Sequence, residues 1–201
     1  MKIASPKADA RLFDLIADDD AVRGRALARH RESVASGTGV SIYEPGRDRT
    51  VFWYLGQLLR WESRNSAVSA ELWPFVALYL RWETLFPDQW TSRDTQIWSP
   101  WSMKEGVLGH LGRCGLPTEA RPEAIDLLVD VVHRPYRCKD WMYALLVRHV
   151  DGADFRDRMA ALARAEDPLV RCRAQFLLDV ADRPEVRVKR NTWGAWLDSR
   201  T

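Results

Sequence analysis

Trp90, Arg93, Asp94, Trp98 and Trp101 fall within one polar stretch, "FPDQWTSRDTQIWSPW" at 86–101, broken by Pro87 and Pro100. Trp and Arg dominate binding hot spots, because they bury large surfaces and make directional hydrogen bonds. A connection this long in a helical chain is often functional. These five residues are therefore the candidate partner-binding site, with the alternative that the tryptophans fold back to plug the core. A second set, Arg183, Arg187, Lys189, Arg190 and Trp193, combines positive charge with an aromatic ring and is the candidate nucleic-acid contact. The overall net charge of +2, spread over both halves of the chain, argues against a dedicated duplex binder.

Other chemistry is sparse. His30, His110, His133 and His149 form neither H-x-x-x-H nor H-E-x-x-H, and none lies near a cysteine at metal-ligand spacing. Cys114, Cys138 and Cys172 form no C-x-x-C pair, and each lies in or beside an apolar stretch, which reads as buried free thiols in a reducing compartment. "GHLGRCG" has three glycines but neither a preceding strand nor a following G-K-[ST], so it is not a phosphate loop. With no nucleophile elbow or dinucleotide fingerprint either, no catalytic residue, cofactor or metal is assigned.

The elements that must position these residues are helical. In 167–182 the apolar residues Val170, Ala174, Leu177, Leu178 and Ala181 trace one helix face, opened by Asp167 as N-cap and Pro168 at the first position. Pro122 and Pro184 repeat that grammar, which predicts helices after each. Further helices are expected at about 8–18, 20–35, 49–64, 68–85, 101–113, 138–150 and 154–165. Turn signals separate them at "SGTG", "EPGR", "GLP" and "VDGAD". "GVSIYE" at 39–44 is the one candidate strand. "VFWYLGQLLRW" and "ELWPFVALYLRW" are apolar nearly all round, which puts Trp53, Trp61, Trp73 and Trp82 in a core, while Pro74 either starts its helix or kinks it. No apolar h-region opens the chain and no run is long enough to span a membrane, so the expected compartment is the cytoplasm.

One phrase occurs twice. "DDAVRGRA" at 19–26 and "DPLVRCRA" at 167–174 both fit D-x-x-V-R-x-R-A. Their separation holds roughly three or four units of the ~40–47 residues typical of helical-pair repeats. Asp167, Val170, Arg171, Ala174 and Leu178, and Asp19, Val22, Arg23 and Ala26, resemble the opening of the second helix in the HEAT-like repeat family. The resemblance is strongest at 154–198 and 19–28. It implies an all-α fold of stacked antiparallel helix pairs, an α-solenoid of about four to five pairs forming a single domain over 1–201, with 86–101 as an irregular insertion. It also implies that the Asp and Arg bridge neighbouring repeats.

That architecture suits a non-catalytic protein-interaction module, either an adaptor or a bacterial protein that neutralises a cognate toxin. An Arg-to-Lys ratio of 25 to 5 hints at a GC-rich genome. Two alternatives stand beside it. Trp90-x-x-x-Asp94 looks similar to the Trp and Asp of the HEAT-like alkylpurine DNA glycosylases, which implies Asp94 stabilising positive charge and Trp90 and Trp193 packing sugar and backbone. A small-ligand pocket among the tryptophans, oriented by Asp88, Arg93 or Asp94, is the other; it requires a concave apolar cavity near that loop.

Overall fold

The computed structural model describes residues 6–38, 49–60 and 66–199. These residues are helical, with no strand among them. The candidate strand at 39–44, the "EPGR" turn and Trp61 lie outside the described residues.

The repeated phrase answers first. Before α1 (Asp20–Ser36), the Asp19 carboxylate accepts the backbone N–H groups of Ala21 and Val22 at 2.8 and 2.9 Å, while Arg23 reaches back to donate to the Ala17 carbonyl at 2.6 Å. Before α9 (Pro168–Asp182), Asp167 accepts from Leu169 and Val170 at 2.7 and 3.3 Å, and Arg171 donates to the Ala165 carbonyl at 2.6 Å. In both copies the Asp satisfies orphan N–H groups of the first turn. The Arg four residues on then closes the turn before it. The phrase is a helix-starting clamp on its own helix, and it also reaches outward, since the Arg23 guanidinium lies 4.0 Å over the Phe86 ring at the end of the helix 73–85. Ala26 and Ala174 are buried behind it. The second Arg differs between copies: Arg25 is exposed, while Arg173 donates to the carbonyls of Val132 and Arg134 at the end of the helix 121–133. At its far end α1 stops at Gly37, whose φ of 71° places it in the left-handed region that closes helices.

The apolar middle makes the core. In α2 (Val51–Leu59) seven of nine residues are buried, and Tyr54 stacks on Phe75 of α3 (Trp73–Leu85) with ring centroids 3.5 Å apart. Trp53, Trp73 and Trp82 are buried as expected, and the Trp73 indole donates to Glu123 at 2.6 Å. Pro74 lies in the first turn of α3, so it starts that helix rather than kinking it.

The short α4 (Pro87–Thr91) leads to α5 (Pro100–Cys114), α6 (Arg121–His133), a 3-10 helix Asp140–Leu146 running into α7 (Val147–Val150), α8 (Ala153–Leu162), α9 and α10 (Thr192–Asp198). Helix α3 packs on α2, α4 and α6; α5 packs on α2 and on the 3-10 helix; α9 packs on α8 and α6. The approach of α5 to the 3-10 helix depends on Gly112, where an added Cβ would lie 2.6 Å from Leu145 Cβ.

One expected helix does not form. Pro184 opens no helix, and 183–191 runs as turns and irregular backbone before α10 begins at Thr192. The reason is written in "EVRVK". Val186 and Val188, two residues apart, would fall on opposite sides of a helix and give it no apolar stripe, and a turn closed by the Val186 N–H on the Arg183 carbonyl at 3.0 Å forms instead. Val188 is buried and pins the segment down.

Candidate functional site

The 86–101 stretch is a built corner. After α4 comes a 3-10 turn, Arg93–Thr95, in which the Thr95 hydroxyl donates to the carbonyls of Gln89 and Ser92 at 2.7 and 2.8 Å. His30 of α1 sits 3.0 Å from the Thr95 carbonyl, and Gln96 donates to the Trp90 carbonyl. The five candidate residues divide between two environments. Trp90 is fully buried, its ring centroid 5.4 Å from Tyr79 and 5.2 Å from Trp101, which is itself half-buried against the core. Arg93 and Asp94 are exposed, and Trp98 is 51% exposed with its ring edge-on to Phe52. Trp90 and Trp101 therefore serve packing, and Arg93, Asp94 and Trp98 make the outer face. Trp90 and Asp94, one helical turn apart in sequence, do not share a surface. Asp94 is ion-paired with Arg31 at 2.8 Å and accepts the Ser92 hydroxyl at 2.6 Å. That hydroxyl first, and Arg31 with it, hold its carboxyl below the ordinary range.

The C-terminal candidates gather elsewhere. Trp193 packs against Phe176, Tyr136 and Trp196. Arg183 pairs with Asp179, and Arg187, Lys189 and Arg190 are exposed along the irregular segment instead of on a helix face. The cysteines are not buried: Cys138 is exposed, and Cys114 and Cys172 are half-buried.

Sequence reasoning missed the densest set of buried charges among the described residues. Lys104, with no exposed side-chain surface, contacts Glu83 at 3.1 Å and Asp140 at 2.5 Å, and donates to the Cys138 carbonyl at 3.1 Å. Arg134 reaches both carboxylates, at 3.1 and 2.8 Å. The Tyr143 hydroxyl donates to Glu83 at 3.0 Å, and the Arg137 backbone N–H donates to Asp140 at 2.6 Å. Burial, then the Glu83 charge, pushes the Tyr143 phenol well above its ordinary pKa. Two acids face Lys104, Arg134 and, at the rim, Arg137, whose guanidinium lies 3.5 Å from Glu83, and nearly every polar atom has a partner, as buried charge requires. The cluster holds α3, α5, the loop after α6 and the 3-10 helix together. Its signal in the sequence was a lone Glu83 inside "WPFVALYLRWETL" and a lone Lys104 inside "WSMKEGVLGH".

All four histidines place a ring nitrogen on a backbone carbonyl: His30 on Thr95, His110 on Ser66, His133 on Val129 and His149 on Gly112. For His30, His110 and His149 burial lowers the pKa below 6.5, opposed by the carbonyl bond. These rings take up a proton less readily folded than unfolded. Their stabilising effect is therefore complete above about pH 6.5 and is lost as pH falls from there through the folded-state values. The urea midpoint should be lower at about pH 5.5 than at about pH 7.5, and the fall should shrink when His30 is replaced by Leu.

Two clefts among the described residues lie away from the Trp90–Trp98 corner. A slot of about 40 Å³ sits beneath Trp193, between Tyr136, Trp141 and Phe176. A larger cleft of about 430 Å³ lies between α5, α7, the end of α9 and the segment 184–188. Among the described residues no group of three His, Cys, Asp or Glu side chains is placed to hold a metal ion, and no helix is long and apolar enough to cross a membrane. Comparison with family models, with curated proteins and with solved structures found no match for this chain.

Proposed function

We propose that this chain is a protein-binding module whose contact face is centred on Trp98, with Arg93, Asp94 and Arg31 around it. The observation that carries the reading is the half-exposed Trp98 ring, braced by Phe52 on a corner whose Trp90 is locked in the core and whose Trp101 packs against it. A large ring kept rigid in solvent loses little entropy on binding, and Arg beside it adds directional donors. The helical-pair reading of the fold belongs to the same proposal: α8 and α9 pair, α9 leans on α6, and a repeated clamp opens α1 and α9. Stacked pairs offer extended surfaces for partners. Toxin neutralisation in a bacterial cytoplasm is the partner class that suits a module of this kind.

The test is paired capture from native host lysate. Wild type should retain one stoichiometric protein after nuclease treatment, and the Trp98→Ala/Arg93→Ala variant should lose it while its melting temperature falls by only about 2–4 °C. Retention of the same protein by the variant moves the contact face elsewhere. Loss of the captured material on nuclease treatment defeats the reading.

A further inference from the structure

The cleft of about 430 Å³ is lined by Arg113 on the last turn of α5, Arg148 on α7 and Arg187 on the irregular segment. Several arginines elsewhere in the fold are tied to carboxylates, as Arg31 is to Asp94, Arg134 to Glu83 and Asp140, Arg158 to Asp126, and Arg156 to Asp151 and Asp182. Among the described residues Arg113, Arg148 and Arg187 have no carboxylate within ion-pair distance. Two acids also line the cleft. Asp151 does not offset the three, because Arg156 already grips both its oxygens at 2.7 and 3.0 Å. Glu185 is exposed. Three arginines from separate elements thus line one concavity against a single uncommitted carboxylate. Gathering like charges costs energy that an anion between them would recover.

The remaining wall is apolar, formed by Ala144, Leu145, Val180, Ala181, Val186 and Val188. The volume lies within the ~300–1,000 Å³ typical of small-molecule sites. The turn at Pro184, closed by the Val186 N–H on the Arg183 carbonyl, carries Val186 and Arg187 along the edge of the cleft, and the buried Val188 anchors the segment.

We propose that this cleft binds a small organic dianion, a phosphate monoester with an apolar body, its phosphate held by Arg113, Arg148 and Arg187. Guanidinium donors match phosphate oxygens in pairs, and the aliphatic wall receives the body. The site is independent of the Trp98 face. Titration calorimetry with phenyl phosphate, inorganic phosphate and phenol on the whole chain tests it. Phenyl phosphate should bind saturably and more tightly than either other probe. The Arg148→Ala/Arg187→Ala variant should weaken it by about tenfold or more. Val186→Asp, which adds a carboxylate to the wall at a partly exposed position, should abolish binding without unfolding the protein. Absence of saturation at millimolar phenyl phosphate overturns the proposal. So does affinity unchanged in both variants, or phenol binding as well as its phosphate.

Discussion

Lys104→Met should cost about 3–5 kcal/mol of folding stability, the range for removing one partner from a buried ion pair. The ammonium has no exposed surface and faces both Glu83 and Asp140. Met fills its volume but leaves two carboxylates sharing Arg134, with Arg137 at the edge. For a chain of this size the melting temperature should fall on the order of 10 °C. Urea unfolding measures the loss directly. The double variant Glu83→Leu/Lys104→Met should recover a substantial part of it, because it removes one charge of each sign and leaves the Arg134–Asp140 pair in place. A single variant within about 1 kcal/mol of wild type would mean that water reaches the cluster.

Trp90→Ala should cost about 3–5 kcal/mol, as removal of a fully buried large side chain does. The ring is enclosed by Tyr79 and Trp101, and its neighbours are fixed by Thr95 and Gln96 bonds that leave little room to collapse. Trp98→Ala should cost only about 1 kcal/mol, since it loses one edge contact with Phe52 and already faces solvent. Chemical denaturation of both variants separates a core ring from a contact ring eight residues apart. Equal losses would place Trp98 in the core as well and remove the basis for the partner face.

Much of the helical framework was legible because its signals are local. Asp167 with Pro168, and Asp19 ahead of its apolar residues, declare helix starts through backbone groups only a few positions away. Burial in α2 and α3 followed from segments with no polar face to offer. The candidate corner was half legible. Its length and Trp/Arg content located it, but nothing local tells Trp90 from Trp98; that depends on which way α4 turns against α3. The ionic cluster was hidden for the same reason, since its members meet only after α3, α5 and the loop beyond α6 have packed. At Pro184 the proline grammar misled because the V-x-V spacing behind it gives a helix no apolar stripe.

The cluster bears on how the chain can be divided. In a repeat protein each unit contacts only its neighbours, so units can be removed from an end with stability lost in steps. Here Glu83 lies on α3, Lys104 on α5, Arg134 past α6 and Asp140 on the segment after that. A cut anywhere between α3 and that segment strands charge inside an apolar interior. Whatever repetition the helix starts preserve, the buried charges tie residues 83 to 143 into one block that cannot be divided without stranding a charge.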